Sequence, residues 1–243
     1  MIPPDHPRYR SLVVRERLAG SARKGIVSWE GLTAHGRGEA FDYLLGERTT
    51  ASALFAERTA AALLLSARHP VISINGNTAA LAAGEIAALQ KACGALVEVN
   101  LFHRTERRVK MIEDLLTVAG VDVFSGKAER LLLLSHDRAW CRRDGMYSAD
   151  VVLVPLEDGD RCEVLAGMGK TVIAIDLNPL SRTARTATLT IVDELTRALP
   201  QITSACRDLS QAGEERSPVP VDNHYLLSEA IREMTARLSH ALD

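Results

Sequence analysis

Three features of the sequence predict an α/β fold: a Rossmann-like parallel sheet with helices on both faces, preceded by an N-terminal helical segment. From residue 70 to 207, β-branched runs of four to six residues alternate with longer helical stretches, the pattern of βα units. Those runs are apolar at consecutive positions, as strands covered on both faces must be. Before residue 70 the apolar period is helical throughout.

The elements follow in order. His6 to Gly25 is rich in Arg, Leu, Ala and Glu and places Leu12, Val13 and Leu18 on one apolar face. Ser28-Trp-Glu-Gly31 is a capping sequence for a second helix that ends at Gly46, and Thr50 to Arg68 is a third, stopped by His69-Pro70. Strands are predicted at Val71–Ile74, Leu96–Val99, Val121–Phe124, Val151–Val154, Thr171–Ile175 and Thr188–Val192. Helices are predicted at Ala82–Cys93, Arg104–Ala119 and Glu163–Met168, then from the last strand to about Arg207. Leu131–Leu134 fits either a strand or a helix end. Ser210–Asn223 is polar with two prolines and reads as a linker, and His224–Leu242 regains a helical period through Leu227, Ile231, Met234 and Leu238. The organisation expected is a domain over 1–207, made of a helical segment 1–69 and an α/β core 70–207, then linker and helix over 208–243.

With 29 basic and 31 acidic residues the 243-residue chain has a net charge of −2, so no general attraction to nucleic acid or anionic membrane is expected. The longest apolar runs, Thr59–Leu65 and Leu131–Leu134, are far short of a membrane span, and the proline- and charge-rich start lacks a signal-peptide core. A cytoplasmic protein is expected. Cys93, Cys141, Cys162 and Cys206 have no metal-ligand spacing and read as small hydrophobes in a reducing compartment.

Two nucleotide motifs fail. Gly167-Met-Gly-Lys-Thr171 ends like a Walker A loop, but position 164 is Val and the segment ends a helix and opens a strand, the reverse of a P-loop. Gly36-Arg-Gly38 begins a dinucleotide-like string, but Phe41 occupies the third glycine position and no strand precedes it. Polar clusters at the carboxyl ends of strands remain, where open α/β sheets bind ligands. They are Asn75-Gly-Asn77, Asn100, Glu157-Asp-Gly-Asp-Arg161, Asp176-Leu-Asn-Pro-Leu-Ser-Arg-Thr183 and Asp193. Asp176 and Asn178 suit a ribose or base, and Ser181, Arg182 and Thr183 at a helix start suit phosphate. In His35-Gly-Arg-Gly-Glu-Ala-Phe-Asp-Tyr43 the glycines beside Arg37 permit close approach of a ligand, and Glu39 and Asp42 can orient that arginine or hold magnesium.

Several of these strings occur in order with others: Lys24-Gly-Ile-Val-Ser-Trp-Glu-Gly-Leu32, Ile72-Ser-Ile-Asn-Gly-Asn77, Val97-Glu-Val-Asn-Leu-Phe102, Ser148 to Arg161, Val172 to Ala184 and Thr190-Ile-Val-Asp193. Together with the Arg37 string they resemble the archaeal phosphopantothenate synthetase (4-phosphopantoate–β-alanine ligase) family over about residues 5 to 207. The resemblance departs at Asp122–Gly145, and residues after about 208 look like an extension. It implies a cytoplasmic homodimer in coenzyme A biosynthesis that converts ATP, 4-phosphopantoate and β-alanine into 4′-phosphopantothenate, AMP and diphosphate through an acyl-adenylate. It implies ATP contacts at Arg15, Arg37, Asp176, Leu177, Asn178, Arg182, Thr183, Glu194 and Leu195, with Arg37 and Arg182 as the charge-stabilising catalytic residues. Mg²⁺ is expected with ATP, and no metal ligands are assigned. Asn75, Asn77, Glu157, Asp158, Asp160 and Arg161 are candidates for phosphopantoate or Mg²⁺ from their strand-end placement alone. The chemistry is consistent, since joining polyanionic substrates calls for several cations and needs no covalent enzyme intermediate. The alternatives on the same fold are a nicotinamide-dependent oxidoreductase and a non-catalytic nucleotide-binding regulator.

Overall fold

The structure, a computed structural model, describes residues 2–6, 8–156, 158–212 and 220–241. Three helices come first: α1 (Tyr9–Arg23), α2 (Trp29–Leu45) and α3 (Ala51–Ser66). The Ser28 hydroxyl accepts the Gly31 amide at 3.2 Å to start α2, and Gly46 stops it with a left-handed φ of 86°. A side-chain acceptor relieves an orphan amide at a helix start, and a glycine enters the left-handed region without a Cβ clash. Thr50 caps α3 as Ser28 caps α2.

The alternating part then runs β1 (Pro70–Ile74), α4 (Gly76–Cys93), β2 (Leu96–Val99), α5 (Glu106–Val118), a small antiparallel ribbon of β3 (Glu129–Arg130) and β4 (Trp140–Cys141), β5 (Val151–Pro155), α6 (Gly159–Gly167), β6 (Thr171–Ile175), α7 (Arg182–Thr186), β7 (Leu189–Ile191), α8 (Leu195–Ala212) and α9 (Asn223–Ser239). Five strands form one parallel sheet in the order β2-β1-β5-β6-β7. Ile72, Ile74, Val99, Leu153, Ile173 and Ile175 face a core shared with α3, α4, α5 and α8. Val71, Val152, Val154, Val172 and Ala174 face a second core with α6 and residues Leu132, Ala139, Cys141 and Met146. Each fully buried aliphatic side chain contributes roughly 1.5–3 kcal/mol relative to exposure, so this two-faced sheet is the main source of stability. The crossovers leave β1 in opposite directions, to β2 and to β5, and such a divergence opens a crevice at the carboxyl ends of the strands.

Both margins of the sheet are occupied. On the β2 side, Val97 bridges to Val123 and its carbonyl accepts the Phe124 amide at 2.8 Å. On the β7 side, the Thr190 amide donates to the Asn223 side chain at 2.7 Å. Val121–Phe124, expected as a strand, makes only that single bridge. Its neighbour Asp122 is pinned through both backbone groups to the Gln90 side chain instead, at 2.8 and 2.7 Å. Leu131–Leu134 is irregular, with Leu132 inserted in the second core. The stretch that follows is bound to the sheet by the buried Glu98 carboxylate, which accepts the amides of Arg142 and Met146 at 2.9 and 2.8 Å. α4 begins well before Ala82 because Asn75 caps it, accepting the Thr78 amide at 3.0 Å. α8 runs through residue 207 to Ala212. α9 buries Leu226, Leu227, Ala230 and Met234, the last three of them against Leu45, Leu177 and Val192. The four cysteines are free thiols, three of them buried. Among the described residues no helix is long and apolar enough to cross a membrane.

Candidate active site

The crevice is a cleft of about 760 Å³ between the strand ends and α2. Two glycines let α2 lie there. A Cβ on Gly31 would meet Asn77 Oδ1 at 2.5 Å, and one on Gly76 would meet the Ile26 carbonyl oxygen at 2.3 Å. Asn77 closes the contact by donating to the Gly31 carbonyl at 2.8 Å. From below, the Arg197 guanidinium of α8 donates to Asp42 of α2 at 3.1 and 2.5 Å and to Asp193 at 2.9 and 2.6 Å, which ties α2 to the end of β7.

The β6–β7 side is the better ordered by hydrogen bonds. Asp176 accepts the Asn178 amide at 2.9 Å and the Ser181 hydroxyl at 2.5 Å, and Ser181 in turn accepts the Ala184 amide at 2.9 Å to begin α7. Burial raises the Asp176 carboxyl above its ordinary range, opposed by the Ser181 and Asn178 bonds and by the Arg37 charge. Arg37, exposed, lines the same cleft as Asp176. His35, half-buried on the same turn of α2, is held below its ordinary pKa by burial. Asp193 accepts the Thr49 hydroxyl at 2.6 Å and the Glu194 amide at 2.7 Å. Glu194 accepts the amide and hydroxyl of Thr196 at 2.7 and 2.6 Å.

The centre lies over β1 and β5. Asn75 donates to the carbonyls of Pro155 and Leu156 at 3.0 and 2.9 Å while its own carbonyl caps α4, so its side chain joins the two diverging strands. Leu156 has a φ of 56°, unusual for a branched side chain and costing of order 1–3 kcal/mol. It is fixed by its amide bond to Ile175 at 3.1 Å and by Asn75, and it lines the cleft.

The β2 side carries Phe102, His103 and Arg108, with Arg138 reaching in from the segment between the ribbon strands. Arg108 donates to the Ile26 carbonyl at 3.1 and 3.0 Å and to the His103 carbonyl at 2.9 Å. Arg138 is buried and paired with Asp158. Phe102 stacks on His136 at 4.5 Å, and His136 bonds Asp160 at 2.7 Å.

Of the residues expected at a site, Arg37, Asn75, Asn77, Asp158, Asp176, Leu177, Asn178, Thr183, Glu194 and Leu195 line this one cleft. Three others lie elsewhere. Arg15 pairs with Glu39 at 2.8 Å, Arg182 reaches back to Glu163 at 2.9 Å, and Arg161 is fully buried beneath the cleft, donating to Asn100 and Ser73 at 2.9 Å each. Asp160 is turned to His136, and Glu157 lies outside the described residues. Glu39 and Asp42 do not orient Arg37: the first serves Arg15 and the second Arg197. Sequence reasoning passed over His103, Arg108 and Arg138. Strand-end position flagged Asn100 and nothing after it, an arginine in an ordinary helical run carries no local signature, and Arg138 sits where the resemblance lapses.

Among the described residues no group of three His, Cys, Asp or Glu converges as a metal site. Of the cleft carboxylates, Asp158, Asp176, Asp193 and Glu194 are each engaged by a protein donor, and the exposed Glu30 lies 3.6 Å from His103. That donor set does not form a cage. It suits Mg²⁺ carried in on a polyphosphate, which keeps several waters and takes one or two carboxylates.

A cleft at the switch point of a doubly wound sheet is where α/β enzymes take small ligands, and this one carries Arg37 on its α2 wall and Arg108 and Arg138 on its β2 wall. The sequence of the phosphopantothenate/pantothenate synthetase family matches residues 52–237, and the chain belongs to that family. Relatives named 4-phosphopantoate–β-alanine ligase are 58% identical in Methanospirillum hungatei over the whole of both chains, and 54% identical in Methanosarcina mazei over 98% of this chain and 95% of that one. One from Thermococcus kodakarensis is 46% identical over 98% of this chain and 94% of that one. The family match extends beyond residue 207 and into α9, past the point where the resemblance read from the sequence ends.

Proposed function

We propose that the protein is a 4-phosphopantoate–β-alanine ligase of coenzyme A biosynthesis, using ATP to form 4′-phosphopantothenate, AMP and diphosphate. The observation that carries this reading is end-to-end kinship at 58% identity with a chain of that name. The cleft supports it, lined by Arg37 and the Asp176–Asn178 turn together with Arg108 and Arg138. Family membership also decides against the nicotinamide oxidoreductase alternative.

The chemistry assigns work to this chain's residues. A carboxylate oxygen of phosphopantoate attacks the α-phosphorus of ATP, diphosphate leaves, and the β-alanine amine, having lost a proton, displaces AMP from the acyl carbon. In this reading Asp176 and Asn178 take the ribose and Thr183 the phosphates, while the exposed Arg37 follows charge onto the departing diphosphate. Arg15 and Arg182 join them only by exchanging Glu39 and Glu163 for the nucleotide, a swing that exposed arginines can make. Bound Mg²⁺ would offset triphosphate charge. The α2 wall excludes water from a reactive mixed anhydride.

A cytoplasmic homodimer belongs to the same proposal, and the exposed Leu54 and Phe55 on α3 are apolar surface a second copy can cover. The test is an assay with ATP, β-alanine and 4-phosphopantoate that follows AMP and the amide product. AMP formed only when all three are present supports the reading. Absence of the amide product with pure, folded, ATP-binding protein rejects it in favour of a nucleotide-binding regulator.

A further inference from the structure

The family name covers both phosphorylated and unphosphorylated products, which leaves open how this chain reads the phosphate. Two guanidiniums meet on the β2 side of the cleft. Arg138 has a carboxylate partner, Asp158. Arg108 has none among the described residues; it is half-buried and bonded only to the carbonyls of Ile26 and His103. Burial, and after it the charge of Arg138, lowers the hold of Arg108 on its proton. Asp158 already answers the charge of Arg138, whereas Arg108 is met only by carbonyl oxygens. Glu30, the nearest acid acting on Arg108, is exposed and lies 3.6 Å from His103. The wanting group is an anion. The cleft supplies further donors beside it, His103 and the first-turn amides of α4 at Gly76 and Asn77, while the Asn75 cap engages only Thr78 and Ala79.

We propose that Arg108 and Arg138 form the subsite that grips the phosphate of the acid substrate, and so select the phosphorylated acid over the free one. This rests on the ligase reading above. Position supports it. The sheet order puts β2 three strands from β6, about 14 Å at the usual strand spacing, so Arg108, beside the β2 end, stands apart from a nucleotide seated at Asp176. Between the two lie Leu101 and Leu156, an apolar stretch suited to the branched dimethyl carbon that separates the phosphate of phosphopantoate from its carboxylate. The carboxylate then reaches the middle of the cleft, where the α-phosphorus must be.

The experiment measures binding and turnover separately on the full chain. Calorimetric titration with 4-phosphopantoate and with pantoate, both without ATP, is compared for wild type, Arg108→Gln and Arg107→Gln. Glutamine keeps a donor for the Ile26 carbonyl, and Arg107 is an exposed neighbour on α5. Arg108→Gln is expected to weaken 4-phosphopantoate roughly 10- to 100-fold, the worth of a charge-assisted bond, and to leave pantoate and ATP affinities unchanged. Arg107→Gln is expected to match wild type. Preference for the phosphorylated acid that survives in Arg108→Gln with unaltered melting temperature overturns the subsite, as does ATP affinity falling in parallel. If the variant melts lower, Arg108→Lys, which keeps the charge, must restore most of the preference; failure to do so also overturns it. Wild type that binds 4-phosphopantoate in this way but forms no amide rejects the ligase reading and leaves the subsite standing.

Discussion

Arg37 is the residue whose isolation is most useful. It is exposed and forms no ion pair among the described residues, so its removal costs the fold nothing, while its charge already reaches Asp176. Arg37→Ala is expected to lower kcat/KM for ATP by roughly tenfold or more with an unchanged melting temperature. Steady-state kinetics beside a thermal melt check this, and near-normal turnover would remove Arg37 from the mechanism. Glu57 is the opposite case, a carboxyl on α3 that is 1% exposed, its oxygens enclosed without a hydrogen-bond partner at ordinary geometry. Burial, then the charge of Asp193, pushes it up to about 9, so the folded chain keeps it neutral. Between the ordinary carboxylate range and about pH 9 the unfolded chain gives up this proton and the folded one does not, so stability falls as pH rises through that window. Glu57→Gln has no proton to lose, and its melting temperature should gain on wild type steadily from pH 5 to about 9. Parallel curves would mean that Glu57 is ionised in the fold.

At the scale of elements, α9 belongs to the site more than its linker suggests. Leu227, Ala230 and Met234 pack on Leu177, and Leu177 lines the cleft beside Asp176. Met234→Ala is expected to cost ~2 kcal/mol, the low end for a core truncation because the helix lies at the surface, and to raise the KM for ATP. Urea unfolding measures the first and kinetics the second; a cost within ~0.5 kcal/mol would make α9 a loosely docked appendage. What the sequence revealed divides by physics. β1, β2, β5, β6 and β7 were legible because a strand buried on two faces must be continuously apolar, and α2 because Ser28 and Gly46 are local signals. Val121–Phe124 misled because a β-branched run reads the same whether a ladder or the Gln90 side chain holds it. At the end of β6 the residues that line the cleft lay in one turn, Asp176–Ser181, and were readable. On the β2 side they come from α5 and from the segment after β3, separated by 30 positions, and only the fold brings Arg108 to Arg138.

At the scale of the whole molecule, the proposed reaction runs through an acyl-adenylate, in a cleft that carries Arg37 on one wall and Arg108 and Arg138 on another. With ¹⁸O in the phosphopantoate carboxylate, one label is expected in AMP. Label in inorganic phosphate, with ADP as product, would establish an acyl phosphate and remove the proposed role of Thr183. A different consequence follows from the sheet margins. The outward Thr190 amide is taken by Asn223, and the outward Val97 carbonyl by Phe124. An unsatisfied strand edge is a template that recruits another chain, and here each side presents a group already consumed by its own polypeptide. Copies of this protein therefore have little means of polymerising by strand addition. One asparagine and one short bridge thus guard these two positions against strand addition, and Asn223→Ala is the change that would free the Thr190 amide.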